Sequence, residues 1–332
     1  MADRMVHIVL VGAGFMGREH LQCVQESTHV RYVGVVDKNP QVGKPLADEH
    51  QLPYYEDLNQ ALKALSPDAV DICTPTPFHL PLIRICGEHQ VHVLCEKPVA
   101  HTREDADAIV KVVQESGIGM MVAQVIRFWP EYAFVRELAK TKLYGDILAI
   151  DCKRISPPPA WNSWMLNPAI SGGAVIDMQV HDMDFVCQLL GRPSAIDSRG
   201  RLCQDGVNSV YTRLIYPVNI PVDLETSMLM PKSFPFRMYF KIDFQQATAE
   251  MDFWRPKGQR LKIFPDEGEA YFPSLDPRSA YQAEIEYFAG QILKEQPFEA
   301  SPLDEAIYAV KLCLLSEESC RKGTIVEVNK TK

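Results

Sequence analysis

The sequence predicts an α/β domain built on a doubly wound parallel sheet, followed by an α+β domain with a large open, mainly antiparallel sheet. The chain's 332 residues exceed what one ordinary hydrophobic core accommodates. In the first third, short β-rich apolar runs alternate with helical segments, as in parallel strands joined by helical crossovers. Later, a run of strands is flanked by helices. We therefore predict two domains, 1–125 and 126–332.

The elements of the first domain follow from this alternation. Short apolar runs predict the strands His7–Val11, Tyr32–Val36, Ala69–Cys73, His92–Cys95 and Met120–Ala123. The segments between them predict the helices Gly17–Ser27, Gly43–Gln51, Leu58–Leu65, Leu80–His89 and Arg103–Ser116. Strict alternation of the two indicates a sheet that helices cover on both faces.

The second domain begins with a change of pattern after Gln124. A helix Glu131–Thr141, a strand Ile147–Ile155, the loop SPPPAW and a long helix Ala174–Leu190 come first. The predicted strands that follow are 195–203, 208–216, 221–230, 236–244, 247–253 and 260–264, and the terminal helices are Ala280–Lys294 and Pro302–Lys322. Such a run of strands is typical of an antiparallel sheet.

Composition excludes several classes of protein. The formal net charge of −9, with Lys and Arg scattered, argues against nucleic-acid binding. Nine cysteines without a CxxC pair, mostly in apolar runs, indicate free thiols in a reducing cytoplasm. We expect neither a signal peptide nor a membrane span, because the N-terminal apolar stretch is short and no run of about 18 apolar residues occurs. The sequence contains neither a nucleophile elbow nor an HExxH motif, so no motif indicates a hydrolase.

The strongest local motif is a glycine loop between a strand and a helix. In GAGFMG, Gly12 permits a tight turn, Gly14 lets a pyrophosphate approach the backbone, and Gly17 lets helix and strand pack closely. Asp37 ends the second strand at the spacing of a ribose-binding carboxylate. This context predicts a dinucleotide site with phosphates at the helix N-terminus, although a purely structural turn is the alternative.

Further polar residues follow the next strands, where an open parallel sheet binds its ligands. Thr74-Pro75-Thr76-Pro77-Phe78-His79 follows one strand, and Glu96-Lys97-Pro98 follows another. Alone, Glu96-Lys97 would be a solvated pair and His79 a helix-start residue. The residues that we expect at the cofactor are Gly12, Gly14, Phe15, Met16, Gly17, Asp37, Lys38, Thr74, Thr76, His79, Glu96 and Lys97.

A possible acid–base pair lies on the long helix of the second domain. Asp177 and His181 are four residues apart and face the same way on an α-helix, and Asp184 continues that face. A carboxylate beside an imidazole orients it for proton transfer. The alternative is an ordinary i, i+4 pair. One histidine without a nearby thiolate makes a poor metal site, so we predict no metal.

Taken together, these motifs resemble the glucose–fructose oxidoreductase / inositol dehydrogenase family, Gfo/Idh/MocA. The matching segments run in order along most of the chain: VGAGFMG, VVD, TPTPFH, CEKPVA, QVIRFWPEY, GGAVIDMQVHDMD and EAIYAVKLCLLSEESCRKGTIVEV. The resemblance implies a Rossmann domain and a second domain whose open sheet commonly packs against another subunit, so we expect a homodimer or homotetramer. Apolar residues at both alternating sets of positions in Ser209–Tyr216 and Arg237–Phe244 also predict that one face of the sheet is buried against a second subunit. Thr76 departs from the Asn often found at its position.

The resemblance also implies a reaction. Hydride passes between NAD, with NADP as an alternative, and a secondary alcohol of a sugar, inositol or related polyol. Lys97 would lie beside nicotinamide and substrate, while Asp177 and His181 would supply the acid–base chemistry. Segments that line the substrate cleft in such proteins contain Arg127, Arg154, Trp161, Asn162 and Trp164 here, each of which could equally be a packing or surface residue.

Two other functions remain open from the sequence. A regulatory protein could bind NAD or a sugar without turnover, although the Lys97, Asp177 and His181 set argues against it. An NAD-dependent glycosidase could oxidise its substrate transiently and leave no net NADH. For a dehydrogenase, we expect NAD to be preferred because Asp37 would repel a 2′-phosphate, although Lys38 could partly offset that repulsion.

Overall fold

The computed structural model describes residues 4–159, 165, 167–203 and 206–328. It divides into two compact units. One comprises the described residues up to Phe128 together with Arg278–Ile307, and the other comprises Trp129–Pro277 with the described residues from Tyr308 onward. The sequence division had placed all of 126–332 in the second domain. The difference arises because Ile285, Phe288 and Ala289 of a C-terminal helix are buried in the core of the first unit.

The first unit is built on a six-stranded parallel sheet of the order β3-β2-β1-β4-β5-β6. This is the strand order of a Rossmann fold, which confirms the predicted doubly wound sheet. Most of the strand residues are buried, as expected for a sheet covered on both faces. The strands are β1 (Val6–Val11), β2 (Val30–Val36), β3 (Tyr54–Tyr55), β4 (Ala69–Ile72), β5 (His92–Glu96) and β6 (Met120–Ala123).

Helices connect these strands, and three of them begin at capping side chains. Asn39, Asp57 and Thr102 each accept a hydrogen bond from a backbone N–H of the first turn, which satisfies a donor that the helix leaves open. The helices of this unit are α1 (Phe15–Cys23), α2 (Pro40–Glu49), α3 (Leu58–Leu65), α4 (His79–Glu88), α5 (Arg103–Ser116) and, after the second unit has intervened, α9 (Ala280–Lys294).

The second unit contains an eight-stranded sheet of the order β13-β12-β11-β7-β10-β9-β8-β14. β7 and β10 pair in parallel, and the other neighbours are antiparallel, so the sheet is mainly antiparallel as predicted. Its strands are β7 (Ile147–Ile155), β8 (Ala195–Cys203), β9 (Gly206–Ile215), β10 (Val222–Ser227), β11 (Arg237–Phe244), β12 (Ala247–Asp252), β13 (Leu261–Pro265) and β14 (Val326–Glu327).

The helices of the second unit are α6 (Pro130–Thr141), α7 (Pro168–Ser171), α8 (Val180–Leu190) and most of α10 (Leu303–Lys322). A π-helical segment, Val175–Gln179, precedes α8, where the sequence had predicted one continuous α-helix from Ala174. None of the helices in the described part of the chain is both long and apolar enough to cross a membrane.

One premise of the predicted oligomer is wrong. We expected apolar residues on both faces of strands such as Arg237–Phe244, but there the buried positions alternate with Arg237, Tyr239, Lys241 and Asp243. On that face of the strand, Lys241 contacts the Asp243 carboxylate at 2.7 Å. The second face of this strand is therefore not the apolar surface that we expected to be buried against another subunit.

Candidate cofactor site and catalytic residues

The glycine loop connects β1 to α1 at the carboxyl edge of the parallel sheet. Gly12 has a φ of +100°, and a Cβ there would lie 2.6 Å from the carbonyl oxygen of Cys73. A Cβ on Gly17 would lie 2.0 Å from the carbonyl oxygen of Gly12. Gly14 is different, because a Cβ on it would meet no heavy atom within 4 Å. The loop is therefore closely packed on both sides of one open backbone position.

That open position is the N-terminus of α1. Gly14 is the N-cap residue, and no side chain caps the helix there. The next two residues are Phe15, which is exposed, and Met16, which is half-buried. The first N–H groups of a helix have no partner inside the helix and attract anions. The loop can therefore hold a phosphate or pyrophosphate group against its backbone.

Asp37 ties the end of β2 to the glycine loop. Its Oδ2 accepts a hydrogen bond from Ala13 N at 2.8 Å, and its Oδ1 accepts one from Asn39 N at 2.8 Å. Each carboxylate oxygen has a second lone pair, so a ribose hydroxyl could still donate to it. Lys38, the next residue, is exposed.

The loop after β4 is held together by a buried histidine. His79 Nε2 lies 2.8 Å from the Thr74 carbonyl oxygen, and Nδ1 lies 3.2 Å from that of Val99. Burial lowers the pKa of His79, and the two backbone carbonyls oppose that shift in part. His79 thus connects its own loop to the loop after β5. Thr76 is also buried, and the buried Thr74 hydroxyl has no hydrogen-bond partner among the described residues.

Glu96 and Lys97 lie where β5 ends. Glu96 is buried, and its Oε2 accepts a hydrogen bond from the backbone N of Lys97 at 2.9 Å. Lys97 is half-buried rather than part of a fully solvated surface pair. The sheet thus brings Gly12–Gly17, Asp37, Thr74–His79 and Glu96-Lys97 to one edge, as the sequence predicted.

In the second unit, Asp177 and His181 lie on either side of the junction between the π-helical segment and α8. Both are buried, with 6% and 8% of their surface exposed. The α-helical spacing argument for this pair is therefore only approximate, since a π turn closes on i+5 rather than i+4. π-Helical turns within helices are frequent at functional sites. Asp184, one turn on, accepts a hydrogen bond from Gln188 Nε2 at 2.8 Å.

An ion pair beside His181 is almost fully buried. Arg154 Nε and Nη2 donate to the two oxygens of Asp182 at 3.2 Å and 2.8 Å, and Nη2 also donates to Tyr132 Oη at 3.3 Å. Burial raises the pKa of Asp182, while Arg154 lowers it in part. Such a bidentate pair fixes both side chains. A substrate-binding role for Arg154 remains a prediction.

The other predicted substrate residues fall into two groups. Arg127, in the first unit, is buried, donates from Nη1 to the Ala300 carbonyl oxygen at 3.0 Å, and contacts Glu305 at 2.8 Å. These contacts link it to the C-terminal segment of that unit, and substrate binding by Arg127 remains a prediction. Trp161, Asn162 and Trp164 lie outside the described residues.

Sequence reasoning missed a second group of polar residues in the first unit. His20, Asp71 and Glu284 are each fully buried. Two signals were available for them. Asp71 interrupts the apolar run of a central strand, and His20 shares a helix face with Gly17 and Leu21.

The fold and the glycine loop define a dinucleotide-binding α/β protein joined to a second domain. The family model described as an oxidoreductase family with an NAD-binding Rossmann fold matches residues 6–124, and the model of the GFO/IDH/MocA C-terminal domain matches residues 132–269. The chain therefore belongs to the Gfo/Idh/MocA oxidoreductase family, as its motifs predicted.

Individual relatives are distant. Inositol 2-dehydrogenase of Rhizobium meliloti is 31% identical over 188 residues, which cover 56% of this chain and 55% of that protein. NADP(+)-dependent D-xylose 1-dehydrogenase 2 of Haloferax volcanii is 23% identical over 98% of this chain and 100% of its own length. The match spans about half the length of several other curated relatives.

Solved structures share the whole fold. Levoglucosan dehydrogenase, solved with NADH and levoglucosan, has a TM-score of 0.87 at 19% sequence identity and covers 98% of this chain and 100% of that one. At this identity, the likeness shows a common architecture.

Proposed function

We propose that the protein is an NAD(P)-dependent dehydrogenase that transfers hydride between nicotinamide and a secondary alcohol of a sugar, inositol or related polyol. The observation that carries this proposal is the glycine loop, with an open backbone position at Gly14 and Asp37 bonded to the same loop. Open space at a helix N-terminus, next to an acidic residue at the end of the second strand, suits a pyrophosphate and its adenosine ribose.

The residues of the first unit would hold the cofactor. The loop around Gly14 would take the pyrophosphate, Asp37 the ribose hydroxyls, and the unpartnered Thr74 hydroxyl is available at the same edge. When bound, the nicotinamide supplies the hydride chemistry, and the protein supplies placement and electrostatics. Asp37 also favours NAD over NADP, because a 2′-phosphate would meet its carboxylate.

Three side chains would carry the proton and charge chemistry. His181 takes the hydroxyl proton when the alcohol is oxidised and returns it in reduction. Asp177 orients the imidazole and supports its charged form. The Lys97 ammonium stabilises the negative charge that develops on the substrate oxygen. Arg127, Arg154, Trp161, Asn162 and Trp164 are candidates for contacts with the substrate hydroxyls.

The named relatives support a polyhydroxylated substrate. They include dehydrogenases of inositol and D-xylose, and the levoglucosan enzyme shares the fold. We also propose a homodimer or homotetramer formed through the sheet of the second unit, by likeness to the family, with polar contacts rather than an apolar face. Sedimentation of a monomer at micromolar concentration would contradict this assembly.

A screen of sugars, inositols and sugar acids with NAD and NADP, followed at 340 nm, tests the function. We expect turnover with at least one polyol, with a higher kcat/KM for NAD.

Lys97→Met should lower kcat by roughly 10² and leave NAD affinity nearly unchanged. His181→Ala should lower kcat by about 10²–10⁴, the range for a lost general base. Lys63→Met, on an exposed face of α3, is the matched control.

The same screen separates the alternatives. NAD binding without turnover of any polyol would favour a regulatory protein. Release of an aglycone from a glycoside without net NADH would favour the glycosidase. Equal kcat/KM with the two cofactors would contradict the assigned role of Asp37.

A further inference from the structure

A group of buried polar side chains in the first unit has no role in the reaction outlined above. We name it the His20 cluster and define it as His20, Tyr32, Asp71, Cys73, Glu96 and Glu284. His20, Asp71 and Glu284 have no exposed surface, and Glu96 has 6%. Buried ionisable groups are costly unless they pair with one another, so their arrangement calls for an explanation.

The contacts in the cluster form a chain that ends at the backbone of Lys97. Tyr32 donates to Asp71 Oδ2 at 2.6 Å, and the same oxygen lies 2.9 Å from His20 Nδ1. His20 Nε2 lies 3.2 Å from Glu96 Oε1, an ion-pair distance without the alignment of a hydrogen bond. The other oxygen of Glu96 accepts the Lys97 amide at 2.9 Å.

Each ring nitrogen of His20 thus faces a carboxyl group, an arrangement that favours protons on both nitrogens. Burial disfavours a charged ring, but the charge of Asp71 and its hydrogen bond to the ring favour one, and the pKa of His20 is raised above its usual value. Cys73 would supply a further negative charge only as a thiolate. Burial raises the pKa of the Cys73 thiol, so Asp71 is the effective partner.

Burial favours the neutral forms of the remaining acids of the cluster. Burial raises the pKa of Glu284 well above its usual value, and Glu96 and Asp71 add to the rise while His20 opposes it. Burial also raises the pKa of Tyr32 and the pKa of Tyr281. The ring centroid of Tyr281 lies 5.8 Å from that of His20. The His20 ring therefore lies between the carboxyl groups of Asp71 and Glu96, among side chains whose neutral forms are favoured by burial.

A metal ion would use the same atoms differently. His20 Nδ1, an Asp71 oxygen and Cys73 Sγ lie within 4.8 Å of one another. A cysteine binds metal as the thiolate, however, and a metal-bound His20 Nδ1 could not donate to Asp71. The 2.9 Å contact between Nδ1 and Asp71 favours the hydrogen-bonded state.

We propose that His20, held as an imidazolium by Asp71, is a positioning residue for Lys97. Its positive charge fixes the Glu96 carboxylate, which in turn fixes the Lys97 amide at the point where the chain leaves β5. This proposal rests on the proposed role of Lys97 in the reaction. Misplacement of a catalytic group by about 1 Å can cost roughly 100-fold in rate, so a fixed backbone at Lys97 matters.

The kinetic test is a set of variants measured with the best polyol of the screen. His20→Gln and Glu96→Gln should each lower kcat roughly 10- to 100-fold and change the KM for NAD little. The double variant should be no slower than the slower single variant, because both break one chain of contacts. His50→Gln, at the end of α2 in the same unit, is the matched control and should keep wild-type kcat.

A readout that does not depend on activity is the ¹⁵N NMR spectrum of histidine-labelled protein. The His20 ring should show two protonated nitrogens at pH 8, where an ordinary histidine is neutral, and should lose this state at lower pH in Glu96→Gln. A neutral ring in the wild type, or ring signals that shift on addition of Zn²⁺, would overturn the proposal.

The two proposals can fail separately. If Lys97→Met keeps wild-type kcat, the role of Lys97 is wrong, whatever the His20 spectrum shows. If Lys97→Met is inactive while a folded His20→Gln protein keeps wild-type kcat, His20 does not position Lys97. A lower melting temperature of His20→Gln with unchanged kcat would assign His20 a structural role only.

Discussion

Each unit of the molecule buries a polar cluster next to candidate catalytic residues, but the two clusters differ in chemistry. The His20 cluster of the first unit consists of ionisable side chains. In the second unit, a Gln179 cluster comprises Gln179, Ser198, Thr212, Thr226 and Ser316, none of which titrates. Gln179 ends the π-helical segment that contains Asp177.

The comparison shows two ways to hold a backbone in place. Charged groups in a buried cluster interact strongly, but their contribution depends on pH and on every partner being present. Hydroxyl and amide groups bond more weakly, but hydroxyl protons can rotate to other acceptors. We therefore expect the two clusters to differ in the size and the pH dependence of the effects of substitution.

The largest effect is expected for Asp71→Asn in the His20 cluster. This change keeps the shape of the side chain but removes the charge that supports the buried imidazolium. Loss of one partner of a buried ion pair costs about 3–5 kcal/mol of unfolding free energy. Urea denaturation at pH 6 measures it, with Asp107→Asn on α5 as control.

The pH dependence of this loss follows from the raised pKa of His20. A raised pKa in the folded state stabilises the protein fully below the unfolded pKa of about 6.5, and this stabilisation is lost as pH rises through the folded value. The difference between Asp71→Asn and wild type should therefore be largest at pH 6 and decrease at alkaline pH. A difference that grows with pH would contradict the charged state of His20.

The sequence predicted the edge of the parallel sheet better than it predicted either cluster. The glycine loop, Asp37 and Glu96-Lys97 follow strands at fixed spacings, so local patterns locate them. The His20 cluster joins α1, β2, β4, β5 and α9, and its contacts exist only after the chain has folded. The contribution of α9 was unpredictable for the same reason, because it returns to the first unit after about 150 intervening residues.

The π-helical segment was missed for a different reason. Residues 174–190 have the apolar periodicity of one helix, and the extra residue of a π turn barely changes that pattern. The positions of Asp177 and His181 on one element were predicted, whereas their helical geometry was not.

A second prediction concerns Glu284, whose effect should change with pH. The raised pKa means that the folded protein retains a proton that the unfolded chain loses above about pH 4.3. Wild-type stability should then fall by about 1.4 kcal/mol per pH unit between the unfolded and folded pKa values. Glu284→Gln cannot ionise, so its stability relative to wild type should rise with pH in that window.

Glu286→Gln, on the same helix and only partly buried, is the control for this experiment. Urea denaturation of both variants and wild type between pH 4.5 and 7.5 measures the slopes. A constant difference between Glu284→Gln and wild type across this range would show that Glu284 is ionised in the folded protein.

The smallest effect is expected for Ser316→Ala in the Gln179 cluster. Ser316 donates to Gln179 Oε1 at 3.1 Å and lies within 3.0 Å of the hydroxyls of Ser198 and Thr212. After its loss, Thr212 can still bond Gln179, and Ser198 can still bond Thr212. Because these hydroxyls can exchange partners, the cost should be about 1 kcal/mol, the net value of one hydrogen bond.

No group in the Gln179 cluster ionises, so this loss should be the same from pH 5.5 to 8.5, in contrast to the Asp71 and Glu284 variants. Ser233→Ala, at an exposed position of the same unit, controls for the change of residue type. If the loss in Ser316→Ala varied with pH as strongly as that in Glu284→Gln, the Gln179 cluster would be coupled to a titrating group. The first candidates to test are the buried Asp177 and His181, since Gln179 lies between them in the chain. Such coupling would remove the contrast between the clusters and would make Gln179 part of the acid–base machinery.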